Sequence, residues 1–469
     1  MEDGFSDSPP TRLNILTLNC WGLKYLAKHR NARLTAIGAR IAAYNPPPDI
    51  VGLQECWTQD DYESIRRQTN AILPYCKFYY SGIFGGGLAI LSRWPIEESS
   101  MMRYSLNGRP TAFFRGDWFV GKGVACATLR VGTGQNDFVE VFNTHLHAPY
   151  EREPNDSYIC HRTAQAWEIA KLMRAAAGRG RLVIALGDFN MIPLSLAHRI
   201  ITTHAPVQDA WRVLHPDSPV GAAVDDIEAF RNPPIPTAEF NLQRNGATCD
   251  SVLNTWRWNK GQQRRLARGF DVTVDVSTAD PHAKRLDYIF VGSGGPSAIP
   301  EVSERGAWTV ESVRVGMTER HPELRCSLSD HFSVEATIAR QSPSLKDVPR
   351  NLEQPRTEKP KPPSYDEILR MTSLYKARER HQRHLRLSHF AIQLLITIAC
   401  LVAIWWSPHN YVSFLLMLVS SLGLTAGVID GLIGGLFVGS ELRALKEFEW
   451  EILNARKIAD AAEDGEGEA

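Results

Sequence analysis

Short apolar runs recur along the first part of the chain, and each stops at a polar residue. Residues 13–18 (LNILTL) and 49–53 (DIVGL) read as short buried strands, and 88–92, 138–144, 182–186 and 286–291 as further ones. Between the first two, residues 33–44 carry helical spacing and stop before Pro46, Pro47 and Pro48, which cannot continue a helix. Residues 161–175 predict an amphipathic helix. Strands recur with helices between some of them, so residues 12–340 are expected to form one domain of α/β or α+β class with large sheets.

The pattern then changes. Residues 341–386 are rich in proline and charge and read as a linker. Residues 390–406 and 411–438 follow, within a hydrophobic stretch 387–440, and each run is long enough to cross a hydrocarbon core. A membrane-embedded two-helix hairpin is expected, with 441–469 as a tail. Lys376, Arg378, Arg380, Arg383 and Arg386 precede the first helix, Arg443 and Lys446 follow the second, and the turn between them has neither Lys nor Arg. The positive-inside rule then puts both flanks, and the α/β domain, in the cytosol. The same basic cluster is a candidate for contact with anionic lipid. Glycines at 423, 427, 431, 435 and 439 form a stripe that lets another helix approach, within the hairpin or in a homodimer. Asp430 beside it is costly in lipid, which predicts a partner, a boundary position or a function. Pro362, Pro363, Ser364 and Tyr365 fit the PPxY pattern read by WW domains, against a chance match in a proline-rich stretch.

Charge and cysteine content narrow the classes. The 52 basic and 52 acidic side chains cancel to +0, which speaks against nucleic-acid binding through overall charge. None of the eight cysteines forms a CxxC pair, so a zinc site is not expected. The opening MEDGFSDSPP has no apolar core, so it is not read as a signal peptide, and the cysteines are expected as thiols.

The polar residues that end the strands carry the chemistry. They are Asn19, Glu55, His145, Asp188, Asn190, Asp287, and the pair Asp330 and His331. A lone carboxylate after a strand usually caps a turn; this ordered set, with GDFN and SDH intact, points to a site. Residues 116–123 (GDWFVGKG) match GxxxxGK, but Gly123 stands where a nucleotide-binding loop needs Ser or Thr, so nucleotide hydrolysis is not expected.

LNCWG, LQE, NTHLHA, GDFN, LDYIF and SDHF, in that order, resemble the DNase I-like superfamily of metal-dependent phosphodiesterases over residues 12–340. LNCWGLKYLAKHR, GLAILSRWPI, GDWFVGKG and GATCDSVLNTW resemble the neutral sphingomyelinases, and the helix pair is similar to that of fungal inositol phosphosphingolipid phospholipase C. The resemblance implies a four-layer αββα sandwich followed by a transmembrane hairpin. It also implies Mg²⁺ on Glu55 with Asn19 near and Asp330 in support. His331 would be the general base, oriented by Asp287; Asp188 and Asn190 would position water and a phosphoryl oxygen; His145 would donate to the phosphate. Asp117 and Lys122 would form a substrate loop sensitive to anionic phospholipids such as phosphatidylserine and cardiolipin. The implied products are ceramide and a phosphorylated headgroup, from inositol phosphosphingolipid or from sphingomyelin, at the endoplasmic reticulum or mitochondria. His147 is divided between a supporting and a surface role. A nuclease, an inositol-lipid 5-phosphatase and an inactive scaffold are the competing readings. The first is disfavoured by the neutral chain and apolar helices, the second by LGDFNMIP and LDYIF, and the third by the complete polar set.

Overall fold

The computed structural model describes residues 9–134, 137–151, 158–270, 272–293, 307–340 and 362–466. Most of the expected linker, 341–361, lies outside them. The chain divides into two compact units. One holds residues 1–104, 120–156 and 165–362; the other holds 105–119, 157–164 and 363–469.

The first unit is built on two six-stranded sheets. The strands are β1 (Arg12–Asn19), β2 (Ile50–Gln54), β3 (Tyr75–Tyr79), β4 (Leu88–Ser92), β5 (Ile96–Arg103), β6 (Gly123–Arg130), β7 (Phe138–His145), β8 (Leu182–Asp188), β9 (Gln208–Asp209), β10 (Asp287–Gly292), β11 (Trp308–Gly316) and β12 (Ser333–Arg340). One sheet runs β11-β12-β1-β2-β4-β3 and the other β5-β6-β7-β8-β10-β9. β1–β2 and β7–β8 are parallel, which brings Asn19 beside Gln54 and His145 beside Asp188.

Period-two alternation assigns each face of β1. Leu13 and Ile15 join Ile50, Val141, Ile184 and Leu186 in a core shared by both sheets. Leu16 and Leu18 point the other way, to Leu34, Ile37 and Ile41 of helix α1 (Arg30–Ala42) and Ile65 of α2 (Gln59–Thr69). Strands buried on both faces read as unbroken apolar runs, which is why they were legible. The sheets meet most closely at Gly52, where a Cβ would lie 1.8 Å from Leu186 Cδ1.

A polar clamp ties the sheets together. Asn143 Nδ2 donates to the Leu53 and Ala89 carbonyls, each at 2.9 Å, and its Oδ1 accepts from Gln54 Nε2 at 2.7 Å. Asn143→Leu strands these buried groups and is expected to cost about 3 kcal/mol. A shifted denaturation midpoint at unchanged slope checks this.

The second unit contains the long helices. Helix α3 (Tyr365–Ala403) is followed by α4 (Asn410–Leu432), which continues through residues 433–437 into α5 (Val438–Glu466). Two helical stretches, Tyr365–Trp406 and Asn410–Ala461, are long and apolar enough to cross a membrane. Leu395, Phe414, Leu422 and Leu436 are exposed along them, and Trp405, Trp406 and Tyr411 are exposed at their turn, the pattern of side chains facing lipid and its interface.

This unit corrects the domain boundaries read from the sequence. The expected linker is helical from Tyr365, because Ile368, Thr372, Tyr375 and Glu379 are buried at helical spacing while Leu445, Phe448 and Ile452 are buried on α5. Proline and charge content masked that stripe. Within the PPxY segment Pro362 and Ser364 are exposed, Pro363 is buried, and Tyr365 opens the helix. The tail is helical to Glu466. The glycine stripe is filled from within: a Cβ at Gly423 or Gly427 would strike Gln393, and one at Gly431 would press on Phe390. That packing is the hairpin's own, and it occupies the face suggested for a homodimer. Asp430 is paired with Arg386 and accepts from His389 Nδ1 at 2.7 Å.

Residues 105–119 and 157–164, expected in the α/β domain, belong to this second unit. Trp118 meets Phe437 with ring centroids 4.5 Å apart, and Arg386 Nη2 donates to the Thr111 carbonyl at 3.1 Å. His161 Nε2 lies 3.3 Å from Glu441, which also accepts from the Tyr375 hydroxyl at 2.8 Å. Burial pushes Glu441 up to about 7, burial and Glu441 push Glu379 up to about 7, and burial pushes His161 down to about 4. The folded carboxyls hold protons that the unfolded chain releases. Their stabilisation is therefore complete below the ordinary 4.5 and fades as pH rises through about 7. Glu379→Gln is expected to raise the melting temperature more at pH ~8 than at pH ~6. An equal shift at both would show that the side chain does not titrate between them.

Candidate active site

The two sheets bring their polar strand ends to one edge. Asn19 ends β1, Glu55 follows β2, His145 and Asp188 end β7 and β8, Asp287 opens β10, and His331 precedes β12. Because β10 runs antiparallel to β8, Asp287 sits opposite Asp188. Asn190 lies two residues beyond β8 with a left-handed φ of 46°; its N–H donates to Asp188 Oδ1 at 2.9 Å and its Nδ2 to the Leu146 carbonyl at 3.1 Å.

At the centre, the His331 Nδ1–H donates to Asp287 Oδ2 at 2.8 Å, with both side chains buried. Burial opposes the imidazolium, but the Asp287 carboxylate and Cys249 together outweigh it and raise His331 well above its usual value. Nδ1 is taken by Asp287, so Nε2 is the nitrogen able to receive a proton. Burial and the neighbouring Asp287 carboxylate push Asp188 up to about 7. His145 behaves oppositely: burial, with Lys122 and His331 nearby, holds it well below the usual range. Its Nε2 is 3.6 Å from Asp188, and the pair is a neutral imidazole beside a carboxyl, not an ion pair.

Glu55 stands across this edge, half-buried, with a left-handed φ of 52°. Asn19 Nδ2 donates to Glu55 Oε1 at 3.2 Å and to Asp188 Oδ2 at 3.0 Å, joining the two sheets' carboxylates. Asp330 is pushed up to about 6 by burial, with Glu55 adding to the rise. Three carboxyls therefore share few donors, which fits a hard cation. Ligand atoms of Asp188, Asp287 and His331 also lie within 4.8 Å of one another. The short His331–Asp287 bond ties that pair to each other.

Other residues hold the site without having announced themselves. Arg33, fully buried, donates to the Cys20, Trp21, Lys28 and Leu328 carbonyls at 2.7–3.2 Å, pinning the turns after β1 and before His331. Its place inside a helical run gave only a helix signal. Lys122 is buried in the first unit, and its Nζ donates to the Leu146 carbonyl at 3.2 Å, beside His145. Asp117 belongs to the second unit. His147 is fully buried, its N–H donating to Gln165 Oε1 at 2.9 Å, which excludes the surface role. In the basic cluster, which lies within α3, Lys376 pairs with Glu449 and Arg386 with Asp430, while Arg380 and Arg383 are exposed and Arg378 lies 5.9 Å from the Tyr375 ring.

One edge thus gathers a histidine held by a carboxylate, a second histidine, two amides and further carboxyls. The model of the endonuclease/exonuclease/phosphatase family matches residues 16–331, from β1 to His331 itself. The chain belongs to that family. Within the endonuclease/exonuclease/phosphatase family it is 39% identical over 448 residues to an inositol phosphosphingolipids phospholipase C of Schizosaccharomyces pombe, covering 94% of this chain and 93% of that one. It is 33% identical over 475 residues to the protein of the same name in Saccharomyces cerevisiae, covering 94% and 90%. A putative neutral sphingomyelinase of Caenorhabditis elegans is 31% identical over 451 residues, covering 94% and 91%. These matches run past the family domain into the C-terminal helices.

Proposed function

We propose that the protein is a Mg²⁺-dependent phospholipase C that hydrolyses inositol phosphosphingolipids, sphingomyelin or both at a membrane, leaving ceramide and releasing the phosphorylated headgroup. The observation that carries this is the buried His331–Asp287 pair, 2.8 Å apart, at the edge that also holds Glu55. Full-length identity to the two fungal phospholipases C supports the substrate class.

His331 Nε2 takes the proton of a water whose oxygen attacks phosphorus, while Asp287 steadies the imidazolium. Asp188 and Asn190 orient that water and one phosphoryl oxygen. Neutral His145 donates to another oxygen as its charge grows. The P–O bond to ceramide breaks as the new one forms, the leaving oxygen takes a proton from solvent, and His331 Nε2 returns the proton it accepted to solvent. Mg²⁺, when bound on Glu55 with Asn19 and Asp330 beside it, supplies positive charge to the phosphoryl group. The apolar hairpin keeps the chain in an endoplasmic-reticulum or mitochondrial membrane with both ends cytosolic. Arg380 and Arg383 offer the hairpin a contact for anionic phospholipid.

The test is ceramide release by the full chain in mixed micelles, from sphingomyelin and from inositol phosphoceramide, with Mg²⁺ and with chelator. Turnover is expected to need the metal, and Glu55→Gln to lower it at least about a hundredfold at ordinary Mg²⁺. Sphingomyelin as sole substrate would favour the animal-type activity. No turnover of either lipid would overturn the reading.

A further inference from the structure

The turns beside Glu55 present apolar side chains outward. The Gly22 N–H donates to the Glu55 carbonyl at 2.9 Å and the Cys56 N–H to the Gly87 carbonyl at 3.0 Å, so the turns containing residues 22 and 87 both flank that carboxylate. On them Tyr25 is 89% exposed, Leu26 74%, Tyr80 67%, Ile83 75% and Phe84 58%. The first turn is ordered: the Leu26 and Ala27 N–H groups donate to the Leu23 carbonyl, and buried Arg33 holds the Lys28 carbonyl at 2.8 Å. Large apolar side chains as exposed as Tyr25, Leu26, Tyr80 and Ile83 beside this edge mark an interaction surface.

Two of the segments carry basic charge alone, while Glu55 and exposed Asp60, next to the Gln59 that accepts from the Tyr80 hydroxyl at 3.0 Å, lie by the other turn. Residues 23–29 carry Lys24 and Lys28 and no acid. Lys28 Nζ donates to Gln263 Oε1 at 3.4 Å, which links this turn to the helix Lys260–Ala267. Residues 259–270 carry Lys260, Arg264, Arg265 and Arg268, again with no acid, and end on Phe270, 57% exposed. In a chain whose formal net charge is +0, this is a local concentration. Long basic side chains beside exposed aromatic and aliphatic ones suit a bilayer interface: the apolar groups enter the acyl boundary and the cations remain at the headgroups.

We propose that this face of the catalytic unit, formed by residues 23–28, residues 80–84 and the helix Lys260–Ala267 with Phe270, docks on an anionic lipid surface. It rests on the reading that the substrate is a membrane lipid, and adds a contact distinct from the basic cluster at 376–386. Because the turns bear on Glu55, docking sets the catalytic edge against the headgroups.

The test uses the full chain in nanodiscs of phosphatidylcholine, with and without phosphatidylserine. All eight native cysteines are buried or half-buried, so an environment-sensitive fluorophore can be directed to Leu26→Cys. Its emission is expected to shift to the blue with phosphatidylserine, while a label at exposed Glu98→Cys, on β5, stays unchanged. The triple variant Lys24→Glu, Lys28→Glu, Arg264→Glu is expected to lose about tenfold in turnover on the anionic bilayer. It should retain turnover of a short-chain sphingolipid dispersed as monomers. A label that remains in water, unchanged turnover on the bilayer, or equal losses on both substrates would each overturn the docking surface. So would charge reversal that abolishes oligonucleotide binding and leaves bilayer turnover intact. If the unsubstituted chain cleaves no sphingolipid at all, the function falls instead, and the label still reports on docking by itself.

Discussion

His331→Ala is expected to lower kcat for ceramide release by about a thousandfold, within the range measured for loss of a positioned general base. KM should change little under the proposed mechanism, in which Nε2 serves the attacking water and not the lipid. The fold should survive, but the Asp287 carboxylate is then left buried without its 2.8 Å partner. Asp287→Asn separates the two contributions. It keeps the side chain's shape but removes the charge that raises His331, so the pH at which activity appears should move downward while kcat falls. Single-turnover kinetics against pH check both variants. A His331→Ala enzyme within tenfold of the parent would exclude His331 as the base.

The second large effect is on stability. Arg285 Nη1 lies 2.8 Å from both oxygens of Asp209, and both side chains are buried. Asp209 also accepts from the Trp211 N–H and pairs with His198 Nε2 at 3.1 Å. Arg285→Met leaves this carboxylate uncompensated and is expected to cost about 3–5 kcal/mol. Burial pushes the Asp209 carboxyl up, but Arg285 and His198 together outweigh it and hold the group well below the usual range. A depressed carboxyl stabilises the fold above its unfolded value and loses that contribution as pH falls through the folded value. The parent should therefore lose stability on strong acidification, and Arg285→Met should lose less there. Arg285 is two residues before Asp287, so the pair also anchors the start of β10. Urea unfolding across pH would show the idea wrong if the two proteins ran parallel.

Most of the catalytic edge was legible because its residues end strands whose apolar runs are unmistakable. Asn19, Glu55, His145, Asp188 and Asp287 needed no knowledge of pairing to be found. What pairing supplied was company: the β8–β10 register sets Asp287 opposite Asp188, and no sequence pattern states that. Arg33 stayed hidden because its role is to hold carbonyls from distant turns. The amphipathic start of α3 stayed hidden behind proline and charge, since its partner stripe lies about 70 residues away on α5 and periodicity sees only one helix at a time. Residues 105–119 and 157–164 could not be assigned to the second unit for the same reason.

That assignment bears on how such an enzyme could be altered over time. A tail joined only through a linker can be lost, exchanged or duplicated by a single break in the reading frame. Here a break at residue 362 would leave His161 without Glu441, Trp118 without Phe437 and the Thr111 carbonyl without Arg386. A soluble descendant would have to refashion two internal loops as well as discard its anchor. Deleting the C-terminal helices is therefore expected to unseat residues 105–119 and 157–164 as well.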